Sequence, residues 1–248
     1  MSEVQFNNVT KRYGDHTALS GISLTIEKDT TTAVIGPSGS GKSTLLQLVN
    51  GLVIPDSGSV TVLGKPIDYS RLTELRAQIG YAVQGTGLFP HMSVWKNITL
   101  LAKIARWDAD RIESRALLLM STVGLPTRFR DRYPHELSGG EQQRVGLCRA
   151  MMLNPRLFIL DEPFGALDPI TRSAIHQEFL QLQASEPRTM VLVTHDLREA
   201  VKLASYLVIL DEGRVVQYGS REEILNTPSD SLVVELLRSQ LDSWGKSH

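Results

Sequence analysis

The chain has 248 residues, with 26 lysines and arginines against 27 aspartates and glutamates, and a formal net charge of -1. That length admits one large domain or a domain carrying a lobe, and a composition 42% hydrophobic and 21% charged is that of an ordinary globular protein. The near-neutral balance excludes a general nucleic-acid binder, which carries a basic excess, and the single cysteine, Cys148, excludes an internal disulfide and fits a reducing compartment.

The start, MSEVQFNNVTKRYG, lacks the basic region and apolar core of a secretory leader. No stretch approaches about 18 uninterrupted apolar residues, so any membrane connection is expected to run through a partner. Val4 to Val9, Gly21 to Glu27 and Thr30 to Ile35 read as strands, the second from the alternation of Ile22, Leu24 and Ile26 with polar residues. A glycine-rich turn follows, then a helix over Lys42 to Asn50 and strands over Gly58 to Leu63 and Gln78 to Val83. Ser93 to Val123 has helical periodicity and reads as an inserted helical lobe, extended by a helix from Ser138 to about Leu153. Leu157 to Leu160 is a short buried strand. Helix and strand then alternate: Thr171 to Ala184, Thr189 to Thr194, Leu197 to Ala204, Leu207 to Asp211. The alternation predicts an α/β domain with a mostly parallel sheet. Ser231 to Leu241 reads as an amphipathic helix packed on the body.

Gly36-Pro37-Ser38-Gly39-Ser40-Gly41-Lys42-Ser43-Thr44 matches the phosphate-binding pattern G-x-x-x-x-G-K-[ST] in its required setting, after an apolar strand and before a helix. The glycines let backbone N–H groups turn inward, and the helix start adds partial positive charge. Lys42 is expected to reach the β/γ-phosphates of a nucleotide and the Ser43 hydroxyl to ligate Mg²⁺. Leu157 to Leu160 runs into Asp161-Glu162. Carboxylates at the C-terminal end of a buried strand lie where open α/β sheets bind ligands. Asp161 is the expected metal holder, and Glu162 the expected general base on water.

Leu137-Ser138-Gly139-Gly140-Glu141, followed by Gln-Gln-Arg-Val, places a second anion-binding helix start in the chain. These residues resemble the signature of the ABC ATPases, and the resemblance covers nearly the whole chain. It implies a P-loop NTPase core with a mostly parallel sheet, an N-terminal antiparallel β region and an inserted helical lobe. The expected layout is a single ABC ATPase domain over 1–248, with the lobe at about 90–152 and a terminal helical segment at about 220–241. Tyr13 is similar to the family's adenine-stacking aromatic; standing alone, it reads as a surface aromatic. Gln84 is similar to the glutamine that senses Mg²⁺ and the attacking water and faces the membrane partner. Ala166-Leu-Asp168 is similar to the loop that contacts the opposite subunit, and His195 to the switch histidine on the γ-phosphate. Glu141 stands where glutamine is commonest in the family, which puts a carboxylate near the signature's anion site. His16, His91, His135, His176 and His248 have no metal-ligand spacing and read as surface or packing residues. Cys148 reads as a small packing residue rather than a reactive thiol.

The resemblance implies an ATP hydrolase. Composite sites would take Lys42, Ser43, Gln84, Asp161, Glu162 and His195 from one chain and Ser138 to Gly140 from a second copy, with ATP and Mg²⁺ bound. It also implies transmembrane permease partners, a substrate-binding protein, and a place at the cytoplasmic face of the membrane. Gly87 to Val94 reads either as a socket for a partner helix or as an ordinary packed loop. Three functions remain open: a transporter ATPase, a DNA-repair or chromosome ATPase, and a ribosome-acting ABC protein. The last two families carry long coiled-coil arms or two ATPase units with basic linkers, neither of which this sequence shows. The runs Tyr81 to Met92 and Asp161 to Arg172 most resemble prokaryotic importers of the glycine betaine/choline osmoprotectant group. Many members of that group carry a C-terminal pair of regulatory modules; the expectation here is an ATPase segment without them.

Overall fold

A computed structural model describes residues 2–83, 85, 87–185 and 187–241, apart from the side chains of Leu182 and Ser185. The elements in chain order are β1 (Ser2–Tyr13), β2 (His16–Glu27), β3 (Thr31–Ile35), α1 (Lys42–Val49), β4 (Ser57–Val62), β5 (Lys65–Pro66), α2 (Leu72–Arg76) and β6 (Ile79–Ala82). They continue with α3 (Val94–Ile104), α4 (Ala109–Thr122), α5 (Gly139–Met151), β7 (Leu157–Asp161), α6 (Pro169–Ser185) and β8 (Thr189–Val193). The last are α7 (Leu197–Leu203), β9 (Tyr206–Asp211), β10 (Arg214–Ser220), α8 (Arg221–Asn226) and α9 (Ser231–Gln240). Contacts divide them into two compact units, residues 1–76 with 188–248, and residues 77–187.

The first unit holds two kinds of sheet. β2, β1, β4 and β5 pair antiparallel in that order. β3 pairs parallel with both β8 and β9, and β10 closes on β9 as an antiparallel hairpin. All five residues of β3 and all five of β8 are buried. Strands covered on both faces read as unbroken apolar runs, which is why these two lack the alternation seen in β2. Ala33 and Ile35 of β3 pack with Leu197 and Ala200 of α7, Leu207 and Ile209 of β9, Ile224 of α8, and Val233 and Leu237 of α9. Each large apolar side chain so covered contributes about 1.5–3 kcal/mol of burial free energy.

The second unit has β6 and β7 paired parallel. Its helices α3, α4 and α5 pack on one another, and α5 also packs on β6. Ser93 caps α3 by accepting the Lys96 N–H, and Asp108 caps α4 by accepting the Arg111 N–H at 2.8 Å. Val94, Ile98 and Ala102 recur every four residues and are fully buried, as are Ala116 and Met120 of α4. The sequence reads 93–123 as one helical stretch; the structure breaks it at Arg106, whose φ is +57°. The Arg106 and Trp107 N–H groups return to the carbonyls of Lys103 and Ala102, satisfying the end of α3 by a left-handed cap without glycine.

Cys148 lies on the inner face of α5, fully buried. Burial pushes its thiol up to about 12, so almost no thiolate exists at neutral pH. A thiol reagent at pH 8 should therefore leave the folded protein unlabelled and label one sulfur per chain in denaturant. Labelling of the native protein at the rate of a free thiol would contradict this packing.

Candidate functional site

The phosphate loop sits in the first unit, between β3 and α1. Gly36 is buried, and a Cβ there would fall 1.9 Å from the Leu210 carbonyl of β9. Gly41 has φ +102°, and a Cβ there would meet the Ala18 carbonyl at 2.4 Å. The Gly213 N–H donates to the Ser40 carbonyl at 3.1 Å. Pro37, Ser38 and Gly39 face outward while Ser40 and Lys42 are buried. Lys42 Nζ donates to the carbonyls of Gly36 at 2.9 Å and Pro37 at 2.6 Å. No side chain caps the start of α1. Its first N–H groups follow directly on the glycine turn, the arrangement that suits an anion. Ser43 and Thr44 lie on the first turn of α1, half-buried.

Two further sequence-derived residues belong to this unit. Tyr13 ends β1, 47% exposed, with Lys11 Nζ 5.5 Å from its ring centroid. His195 is exposed between β8 and α7. The residues around it are firmly tied. The Thr194 hydroxyl donates to the Glu199 carboxylate at 2.9 Å and accepts the Asp196 N–H at 3.1 Å. The Asp196 carboxylate caps α7 through the Arg198 and Glu199 N–H groups.

The carboxylates and the signature belong to the second unit. Asp161 ends β7 and is 4% exposed; its charge and, more strongly, burial raise the Tyr81 phenol on β6 to about 12. Glu162 is half-buried and has φ +47°, the left-handed region that a non-glycine residue rarely adopts. Ser138 and Gly139 are exposed and Gly140 is half-buried at the start of α5. Asp168 is exposed, and its carboxyl lies below the ordinary range because the Thr171 hydroxyl and backbone N–H hold it. Gln84 lies outside the described residues. The loop after it is fixed: the Asn97 side chain holds both the N–H and the carbonyl of Phe89, at 2.8 and 3.1 Å, and Arg149 donates to the Gly87 carbonyl at 2.8 Å. Phe89 itself stays 40% exposed.

Ser43 in the first unit and Asp161 in the second each offer a hard oxygen donor of the kind Mg²⁺ accepts.

Sequence reasoning missed two features. Glu141 folds back on its own helix: its carboxylate accepts the Ser138 N–H at 2.7 Å, while the Ser138 hydroxyl accepts the Glu141 N–H at 3.3 Å. The S-x-x-E spacing of a capping box was the available signal. Gln143, buried on α5, reaches the loop after β7, and its helical spacing of four from buried Leu147 was a weaker signal. The Ser138 backbone N–H, first among the causes, holds the Glu141 carboxyl below its ordinary 4.5. A depressed carboxylate stabilises the fold above its ordinary value and loses that contribution as pH falls through the folded value. Glu141→Gln keeps an accepting oxygen but no charge. The wild type should unfold at higher denaturant than this variant at pH 7, and the gap should close below about pH 4.5. A gap constant from pH 7 to 3 would reject the charged cap.

Comparison with known proteins identifies the family. The ABC transporter family model matches residues 19–165, more than half of the chain. The glycine betaine uptake system ATP-binding protein YehX of Escherichia coli (strain K12) is 44% identical over 96% of this chain and 78% of its own length. The glycine betaine/carnitine/choline transport ATP-binding protein OpuCA of Bacillus subtilis (strain 168) is 44% identical over 94% of this chain. The chain spans only 62% of that protein's length. It spans 61% of the choline transport ATP-binding protein OpuBA of the same organism, at 45% identity. Among solved structures, the dimeric structure of MJ0796, a bacterial ABC transporter cassette, superposes with a TM-score of 0.83 at 33% identity. That match covers 88% of this chain and 98% of the other. With its phosphate loop, its signature helix and its carboxylate-ended strand, the chain belongs to the ABC transporter family.

Proposed function

We propose that the chain is the ATP-hydrolysing subunit of an ABC importer for quaternary amine osmoprotectants: glycine betaine, carnitine or choline. It acts as one of two copies on the cytoplasmic face of the membrane, beneath permease subunits, with a substrate-binding protein delivering the cargo. The observation that carries the chemistry is the phosphate loop, where buried Lys42 is held by two carbonyls beside an uncapped helix start. The cargo reading rests on 44–45% identity to three proteins bearing those substrates in their names. A second reading, an importer of another small solute, has support from 38% identity to a spermidine/putrescine import ATP-binding protein and 39% to a sulfate/thiosulfate one.

In this reading the backbone N–H groups of 36–44 bind the phosphates of ATP, Tyr13 stacks on the adenine, and Lys42 exchanges its carbonyl partners for phosphate oxygens. Mg²⁺, when bound by Ser43, Gln84 and Asp161, supplies charge neutralisation on the phosphates. Glu162 accepts a proton from water as the water oxygen attacks the γ-phosphorus. The bond to the β–γ bridging oxygen breaks and its electron pair leaves with ADP. His195 orients the γ-phosphate, and Ser138 to Gly140 of a second copy cover it. Little covalent chemistry falls to the protein, so positioning and charge dominate. Exposed Phe89, on its rigidly tied loop, is the proposed permease contact, and the described residues contain no helix long and apolar enough to cross a membrane.

Two experiments test this. Lys42→Ala should abolish ATP binding, whereas Glu162→Gln should keep binding and lose about two orders of magnitude or more in hydrolysis. Glu162→Gln should also accumulate as a dimer in ATP and stay monomeric in ADP by light scattering. Wild-type turnover in either variant would remove the site assignment. For the cargo, deleting the gene should reduce uptake of labelled betaine, carnitine or choline in a strain with no redundant system. Unchanged uptake of all three would favour the other-solute reading.

A further inference from the structure

We infer that Gln143 is a positioning residue for hydrolysis, whose side-chain amide sets the orientation of Glu162 by clamping both ends of the loop that carries it. The inference rests on the reading of Glu162 as the general base. Gln143 lies on α5, one turn after Gly140, and is 6% exposed. Its Nε2 donates to the Glu162 carbonyl at 2.9 Å, and its Oε1 accepts the Ala166 N–H at 3.0 Å. Both ends of one carboxamide are thus used on a single loop, which leaves no alternative orientation of the amide that satisfies both groups.

The loop needs such a constraint. A left-handed non-glycine residue such as Glu162 is conformationally strained and persists where its surroundings over-determine it. Within the loop, the Glu162 carbonyl also accepts the Gly165 N–H, at 3.4 Å. The Gln143 bond is shorter and comes from a helix rather than from the loop itself. The Glu162 carboxylate projects from the same residue whose carbonyl is held, so the backbone angles that Gln143 fixes are those that aim the base.

The first turn of α5 rests directly on the same loop. A Cβ on Gly140 would meet the Ala166 carbonyl at 3.2 Å and the Leu167 side chain at 3.4 Å. One side of this helix start therefore lies against 166–167, while Ser138 and Gly139 remain exposed. A displacement of the helix start is passed to Glu162 through the doubly held Gln143 side chain.

Gln143→Glu keeps the size and the acceptor but replaces the donor with an oxygen facing the Glu162 carbonyl. It should lower kcat about 10- to 100-fold, the scale of a misplaced catalytic group, while the KM for ATP changes less than about twofold. In a Glu162→Gln background the same substitution should add almost nothing, because it acts through the group already removed. An independent structural loss would instead add in full. Wild-type kcat in Gln143→Glu, with Glu162→Gln inactive, overturns the inference and leaves the base assignment intact. An active Glu162→Gln overturns the base assignment itself. If Gln143→Glu fails to fold, hydrogen exchange of the wild-type protein decides the matter. The Ala166 N–H, on an exposed residue, should be strongly protected, and exchange at the free-peptide rate would overturn the clamp.

Discussion

The backbone of Gly36 passes so near the Leu210 carbonyl that any side chain there would sit 1.9 Å from it. The phosphate loop hangs on that approach. It is possible only because β3 and β9 are adjacent parallel strands, with Ile35 in register with Ile209. Parallel pairing buried on both faces demands the apolar runs of β3 and β8. Those runs end together, and the chain leaves β3 into a turn held by Ser40 and Gly213. The apolar core beneath, from Ala33 to Leu237, fixes the platform on which the loop stands.

The second unit meets a different constraint. Its β7 delivers two carboxylates in succession, Asp161 buried and Glu162 at a left-handed φ. Alternation along an extended strand would send adjacent side chains to opposite faces. Turning the backbone at Glu162 re-aims the second carboxylate, at a local conformational cost that must be held by neighbours. The hydrogen bonds from Gln143 supply that hold from α5, the same helix whose first turn presents Ser138 and Gly139 to solvent. The signature helix therefore combines an exposed start with a buried brace.

Glu141 adds a departure of its own. A carboxylate in the first turn of α5 completes a capping box and lies favourably in the field of the helix start. The same charge opposes a phosphate approaching that end. Local stability and anion binding thus pull against each other at one residue. The box secures the Ser138 backbone at the start of α5.

The sequence by itself determined what depends on neighbours along the chain. The strand-to-loop-to-helix order around Lys42, the apolar run into Asp161 and the family motifs all lie within single short segments, so periodicity and spacing expose them. Most predicted elements match the structure to within a few residues, and the family resemblance agrees with the relatives found. Only the tertiary structure decided what depends on segments far apart. Arg106 splits the helical lobe because a left-handed cap there lets α3 and α4 each bury its own face. β10 was invisible as an element, since it has only half-buried or exposed positions and no strong alternation, and the terminal helical segment divides into α8 and α9. The turn at Glu162 and its tie to Gln143, nineteen residues away, follow from α5 packing on the loop after β7. Local periodicity records which face of an element is apolar; it does not record which backbone groups another element will reach when those faces close.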